Sequence, residues 1–259
     1  MEKVQIGKHT VELYEGVKEL PVSRFQVYQK FLLIDAGVGG DITALDKRLE
    51  KTRRHLMAGE MKEAGQELEN LRQCVYLIQS GVQPRHRAFA ALVRSVDGEV
   101  FEDASDATIE RITELLKDAS QGDIDGQMVS VKKKIEAELT LYFPTLFDNP
   151  EQKQYFDLLK ARTMAVLEAI KNGAENPEAA AEAQTTALLT FEKPKRYDGP
   201  EGVEVMNDRN FEDVCIALRE QLHFEPKGAT VFEYYSAYDF LQRRGKEAEK
   251  REKWAKNGR

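Results

Sequence analysis

Few residues in this 259-residue chain have both the type and the spacing that chemistry requires. The four histidines, His9, His55, His86 and His223, share no ligand spacing with one another or with the cysteines, which argues against a structural zinc site. Cys74 and Cys215 each sit inside an apolar helical pattern, as buried thiols do. Gly37-Val38-Gly39-Gly40 opens a helix. A phosphate-cradling loop needs a strand before it, whereas here a helix precedes it and Asp41 places negative charge where the phosphate would sit. Asp123-Ile124-Asp125-Gly126 has the start of a calcium loop without the remaining ligands. Lys132-Lys133-Lys134 and Arg53-Arg54 are short basic runs diluted by glutamates, and His86 lies between Arg85 and Arg87 on a surface segment. No nucleophile elbow, metalloprotease helix, Cys-x-x-Cys or kinase set is present. These residues therefore predict no enzyme, no cofactor and no bound metal.

Composition narrows the class. Apolar residues make up 41% and charged residues 32%, which suits a helical protein with a real core. No apolar run approaches the roughly 20 residues that span a bilayer, and the N-terminus carries charge throughout, so neither a membrane span nor a secretory leader is expected. The net charge of −7 is uneven: Arg243 to Arg259 holds eight basic and three acidic side chains, so a +5 tail follows a −12 body. An acidic body argues against a general nucleic-acid coat.

The elements read as follows. Val4 and Ile6 alternate with polar neighbours, as do Val11 and Leu13, predicting a hairpin over 3–14 with an open edge. A helix is expected from Pro21 to Ala36 through Phe25, Tyr28, Phe31, Leu32 and Asp35, and another after the Asp41 cap through Leu45, Leu49 and Leu56, stopping at Gly59. Met61, Ala64, Leu68, Leu71, Val75 and Ile78 form a heptad stripe that predicts packing in an antiparallel bundle. Residues 88–101 read as a hairpin about Asp97-Gly98, with a helix and turn as the alternative. A helix over 108–117, a loop over 118–127 and a helix from Met128 to Tyr142 follow. Asn149 and Pro150 open a helix that ends before Gly173 and buries Phe156, Leu159, Thr163, Val166 and Ile170; an Ala-rich helix with Asn176 as its cap covers 177–189. Beyond, Phe211, Val214, Leu218 and Leu222 mark one helix, and a Thr230–Glu233 capping box opens the last.

The expected fold is mainly α with minor β: a multi-helix, bundle-like body with its N-terminal β-hairpin (1–190), a Pro/Gly-rich linker (191–209), and a C-terminal helix–turn–helix pair with a basic tail (210–259). The last helix carries Phe232, Tyr234, Tyr235, Tyr238 and Phe240, more rings than two helices bury between themselves. They must dock on the body or meet a partner. Val4, Ile6, Phe232, Tyr234, Tyr235, Tyr238, Arg243 and Arg244 are accordingly the candidate partner-binding residues.

The stretch 19–73, ELPVSRFQVYQKFLLIDAGVGG through QELENLRQ, resembles uncharacterised proteins encoded among the virion genes of tailed bacteriophages. The stretch 211–242, FEDVCIALREQLHFEPKGATVFEYYSAYDFLQ, is similar to small helical modules of phage tail-assembly proteins. The resemblance implies a structural or assembly role, with no catalytic residues to carry over. The expectation is a virion or assembly protein working by contact with other proteins in the host cytoplasm during assembly or in the virion itself, homo-oligomers included. The alternatives are an adaptor whose basic tail touches nucleic acid and an enzyme with a site assembled from dispersed residues.

Overall fold

The computed structural model describes residues 3–34, 39–147, 150–174, 176–181, 183–184, 187–188, 197 and 199–257. The chain divides by contact into two compact units: Met1–Ala36 with Gln83–Phe147 and Val203–Arg259, and Gly37–Val82 with Asp148–Gly202. The expected continuous body over 1–190 is thus split, and the C-terminal segment belongs with the N-terminal one.

The first unit begins with the predicted hairpin. Strand β1 (Lys3–Ile6) pairs antiparallel with β2 (His9–Leu13), Val4 opposite Val11. Period-2 alternation turns Val4, Ile6, Val11 and Leu13 inward, and all four are buried. Strand β2 then pairs with β3 (Val93–Val96), and β3 with β4 (Glu99–Val100), giving the order β1-β2-β3-β4. Asp97 (φ 51°) and Gly98 (φ 88°) form the β3–β4 turn, where both φ values must be positive. Only this end of 88–101 is a hairpin: its apolar start belongs to a helix, α4, which runs Pro84–Leu92. The run from Ala88 to Leu92 is buried all round, and such a run has no period that separates helix from strand.

Helix α1 (Val22–Ile34) packs on α4, burying Val22, Phe25, Tyr28, Phe31 and Ile34, while Leu32 is half-buried and Asp35 lies outside the described residues. Helix α5 spans Asp106–Leu115, capped by Ser105. Helix α6 runs Gln121–Tyr142, so most of the expected loop over 118–127 is its first turns. Ser120 Oγ accepts from the Asp123 N–H at 3.1 Å, and Ile124, Met128, Val131, Ile135 and Leu139 are buried on one face. One buried isoleucine and a cap outweigh the cost of Gly122 and Gly126. A short helix, α7 (Pro144–Phe147), follows.

The C-terminal pair docks on this unit. Helix α9 spans Val203–Leu222, starting inside the expected linker, and α10 spans Val231–Asn257. Thr230 and Glu233 form the predicted capping box, with the Thr230 N–H donating to Glu233 Oε2 at 2.9 Å and the Glu233 N–H to Thr230 Oγ1 at 3.3 Å. The Val231 N–H donates to Leu20 O and the Phe232 N–H to Val17 O, both at 2.9 Å, and the Val22 N–H returns to Ala229 O at 2.9 Å. Backbone bonds of this kind tie the two chain ends into one core.

The second unit holds α2 (Ile42–Ala58), α3 (Met61–Ser80), α8 (Pro150–Lys171) and a 3-10 turn at Pro177–Ala181. Asp41 caps α2 by accepting from the Ala44 N–H at 2.7 Å, and Gly59 ends it at φ 76°. The predicted heptad stripe of α3 is only partly buried: Ala64, Glu67, Gln73, Cys74 and Leu77 are inside, whereas Met61 is 69% exposed and Leu68 is exposed. The expected buried face of α8 is likewise corrected. Leu159 and Ile170 are exposed and Val166 is half-buried, while Ala169 is buried against the 3-10 turn region; the Phe156 side chain lies outside the described residues.

Candidate functional site

The candidate partner-binding residues fall in three places. At the sheet edge, the outer side of β1 has no paired strand among the described residues. Val4 and Ile6 themselves point into the core, so that edge offers backbone groups and not these side chains.

Of the two expectations for the α10 rings, docking on the body or meeting a partner, the first accounts for most of their contacts, which fall within their own unit. Phe232 meets Tyr142 at 5.1 Å and Phe143 at 5.7 Å between ring centroids. Tyr235 meets Phe147 at 5.2 Å, Phe143 at 6.0 Å and Phe25 at 6.3 Å. Tyr234 is buried against Phe211, 5.8 Å away. Burial pushes the Tyr234 hydroxyl up, and pushes that of Tyr235 up to about 12 against a hydrogen bond with Gln29. The α6 and α7 rings are the acceptors that two isolated helices lack, which is why the aromatic excess needs no second protein to be stable.

What remains open is a groove of about 220 Å³ bounded by Val22, Phe25, Gln26 and Gln29 of α1, Asn207, Asn210, Phe211 and Val214 of α9, and Tyr234, Tyr235 and Tyr238 of α10. Gln26 Nε2 donates to Asn207 O at 3.2 Å, and the buried Asn207 Nδ2 has no hydrogen-bond partner. The groove walls are mostly apolar, with the amide side chains of Gln26, Gln29 and Asn210 among them. The sequence reading missed the amide of Asn207 because it lay in the presumed linker; the signal was Val203, which together with position 207 and Phe211 keeps the spacing of four that puts residues on one helix face.

In the basic tail, Arg243 Nε lies 2.9 Å from Asp239 Oδ2 and the Arg244 guanidinium sits 5.8 Å from the Phe240 ring centroid. Both arginines are exposed, as are Lys246, Lys250, Arg251 and Trp254 further along the helix.

Burial raises the Cys74 thiol and pushes Cys215 up to about 11, keeping both protonated near neutral pH. Asp123–Gly126 lies in the first turns of α6 and is not a calcium loop, and Asp125 pairs with Arg85 of α4 at 3.2 Å. His86 is held below its ordinary value by burial, and His9 contacts Asp97 at 2.6 Å. Among the described residues no three His, Cys, Asp or Glu side chains are placed to share a metal ion, and no helix is long and apolar enough to cross a membrane.

The most open apolar surface belongs to the second unit. On α2, Ile42, Leu49, Leu56 and Met57 are exposed; on α3, Met61 and Leu68; on α8, Leu159, Met164, Leu167 and Ile170. Comparison with protein-family models, with curated proteins and with solved structures finds no match to this chain.

Proposed function

We infer that this chain is a non-enzymatic bacteriophage structural or tail-assembly protein that acts through protein–protein contacts. The observation that carries this reading is the exposure of ten large apolar side chains along α2, α3 and α8. Large apolar side chains left in water are costly, and so many on three helices point to surface that another protein covers. The groove at Tyr238 and Asn207 supplies a second, smaller contact suited to a single projecting side chain. The resemblance of 19–73 and 211–242 to virion-gene and tail-assembly proteins names the kind of assembly.

The test is affinity capture of the tagged full-length chain from phage-producing cells, followed by mass spectrometry. Capsid or tail components are expected in the eluate. They should be reduced by Leu49→Gln with Leu68→Gln, changes at exposed positions that leave the fold intact. Recovery of nucleic acid alone, released by salt and lost when residues 243–259 are deleted, would overturn the reading in favour of a tail-borne adaptor.

A further inference from the structure

We propose that the exposed end of α10 is a nucleic-acid-binding arm, which holds the phosphate backbone of a single strand with its basic face and stacks Trp254 on an unpaired base. This goes beyond the protein-contact reading and does not rest on it.

The arm starts where α10 leaves its core. Tyr234 is buried and Leu241 and Gln242 are half-buried, whereas every residue from Arg243 to Arg251 is exposed, and Trp254 is 82% exposed. The helix nevertheless runs on to Asn257. A bare helix this short is marginal in water when it must form its own first turn. Here the packed turns from Val231 supply the nucleus, and the arm only elongates it.

Charge is segregated on this arm. At about 100° per residue, Arg243, Lys246, Lys250 and Trp254, spaced 3, 4 and 4, line one face, with Arg244 and Arg251 along its flank. Among the described residues of the arm, all five cations and the indole therefore share one half of the helix. Glu247 is the one acid with them, and Glu249 lies on the other half. Pairing within the helix uses little of this charge. Arg243 Nε lies 2.9 Å from Asp239 Oδ2, and the Arg244 guanidinium sits 5.8 Å from the Phe240 ring centroid, which leaves its charge in place. Lys246, Lys250 and Arg251 form no ion pair among the described residues. With Arg243 set aside beside Asp239, that half still carries four cations against one acid.

Trp254 selects among anionic partners. A protein contact anchored on a tryptophan needs a surround that shuts out water, yet the helix neighbours of Trp254 at three, four and seven residues back are Arg251, Lys250 and Glu247, all exposed. A lipid surface needs a broad apolar face, and Ala248 and Trp254 are the apolar side chains among the described residues from 243 onward. A nucleic-acid strand needs neither. Its bases stack on an exposed ring while cations beside that ring meet the phosphates. A duplex keeps its bases stacked on one another, so the single strand is the form that uses Trp254.

Trp254 is the one tryptophan of the chain, so its fluorescence reads the arm alone. Titrating the full chain with oligodeoxythymidylate should quench it. Anisotropy of a labelled strand should show an affinity that falls about fiftyfold between 50 and 200 mM salt, as four phosphate contacts on a single strand require. Lys246→Gln with Lys250→Gln and Arg251→Gln should remove most of that salt dependence. Trp254→Ala should weaken binding about tenfold and leave the salt dependence as it was. These positions are exposed, so helical circular dichroism should not change. A duplex should bind more weakly and without quenching. No binding at 50 mM salt would overturn the proposal, as would binding indifferent to the triple substitution or a duplex that quenches as strongly. Equal quenching by polyglutamate would also overturn it, in favour of an acidic protein. Each of these results leaves the protein contacts of α2, α3 and α8 standing.

Discussion

At the scale of single residues, Arg24 fixes the first unit. Its guanidinium is fully buried and donates to Val93 O and Phe101 O at 2.7 Å each, with Ala90 O and Ala91 O at 3.4 and 3.5 Å. These carbonyls include the free ones at the C-terminus of α4, where the helix dipole favours a cation. One planar fork therefore joins α4 to β3 and to the segment that follows β4. Arg24→Met leaves those carbonyls unpaired and should cost about 3 kcal/mol, read as a lower denaturation midpoint in urea; Arg24→Lys should recover only part, because a point charge does not reach all acceptors. Equal stability of Arg24→Met and the parent chain would count against this role. Asp103 sets a pH response. Its carboxylate accepts from the Ser105 N–H at 2.8 Å and Ser105 Oγ at 2.6 Å, and these bonds, with Thr108, draw its pKa from the usual 3.8 to about 2. A depressed carboxylate contributes stability that is complete above its unfolded value and lost as pH falls toward the folded one. The melting temperature should thus decline between pH 4 and pH 2, and Asp103→Asn should flatten that decline. Identical slopes in both proteins would remove Asp103 as the cause. The sequence reading found neither residue: an arginine inside an amphipathic helix looks like surface, and its acceptors come from a distant segment.

At the scale of elements, local signals were read well and burial was not. The Asp41, Thr230–Glu233, Asp97-Gly98 and Gly59 punctuation appears where the spacing predicts it, because capping and positive φ are decided within a few residues. Glu233→Ala should cost about 1 kcal/mol at the start of α10, and the loss should appear as faster amide exchange in the 229–234 turn than elsewhere in that unit. Uniform exchange there would mean the backbone bonds to Leu20 and Val17 alone hold the end. What the sequence did not reveal was which face of a stripe is inside. The α3 heptads predicted Met61 and Leu68 in the core, yet the seam with α2 takes Glu67 and Cys74 and leaves those two outside. Hydrophobicity alone cannot separate a seam from its flank when Arg48 and Glu67 satisfy each other at 3.2 Å. Because that pair is largely buried, Arg48→Ala strands a carboxylate and should destabilise the α2–α3 hairpin by about 3 kcal/mol.

At the scale of the whole molecule, the mainly α fold with minor β was legible, and the closing of both chain ends into one unit was not. That closure depends on backbone bonds between residues 17–22 and 229–232, which no local pattern encodes. Most of the aromatic residues of α10, which the sequence left to either the body or a partner, pack within that unit. The surplus apolar surface moves to α2, α3 and α8, and the account stands on that surface being covered when the protein works. Two neighbouring methionines report on this. Met57 on α2 and Met61 on α3 are 76% and 69% exposed. Peroxide footprinting of the full chain, dilute and then in its assembled form, reads both by mass. The account predicts several-fold protection of both methionines on assembly; the same reactivity before and after assembly would contradict it.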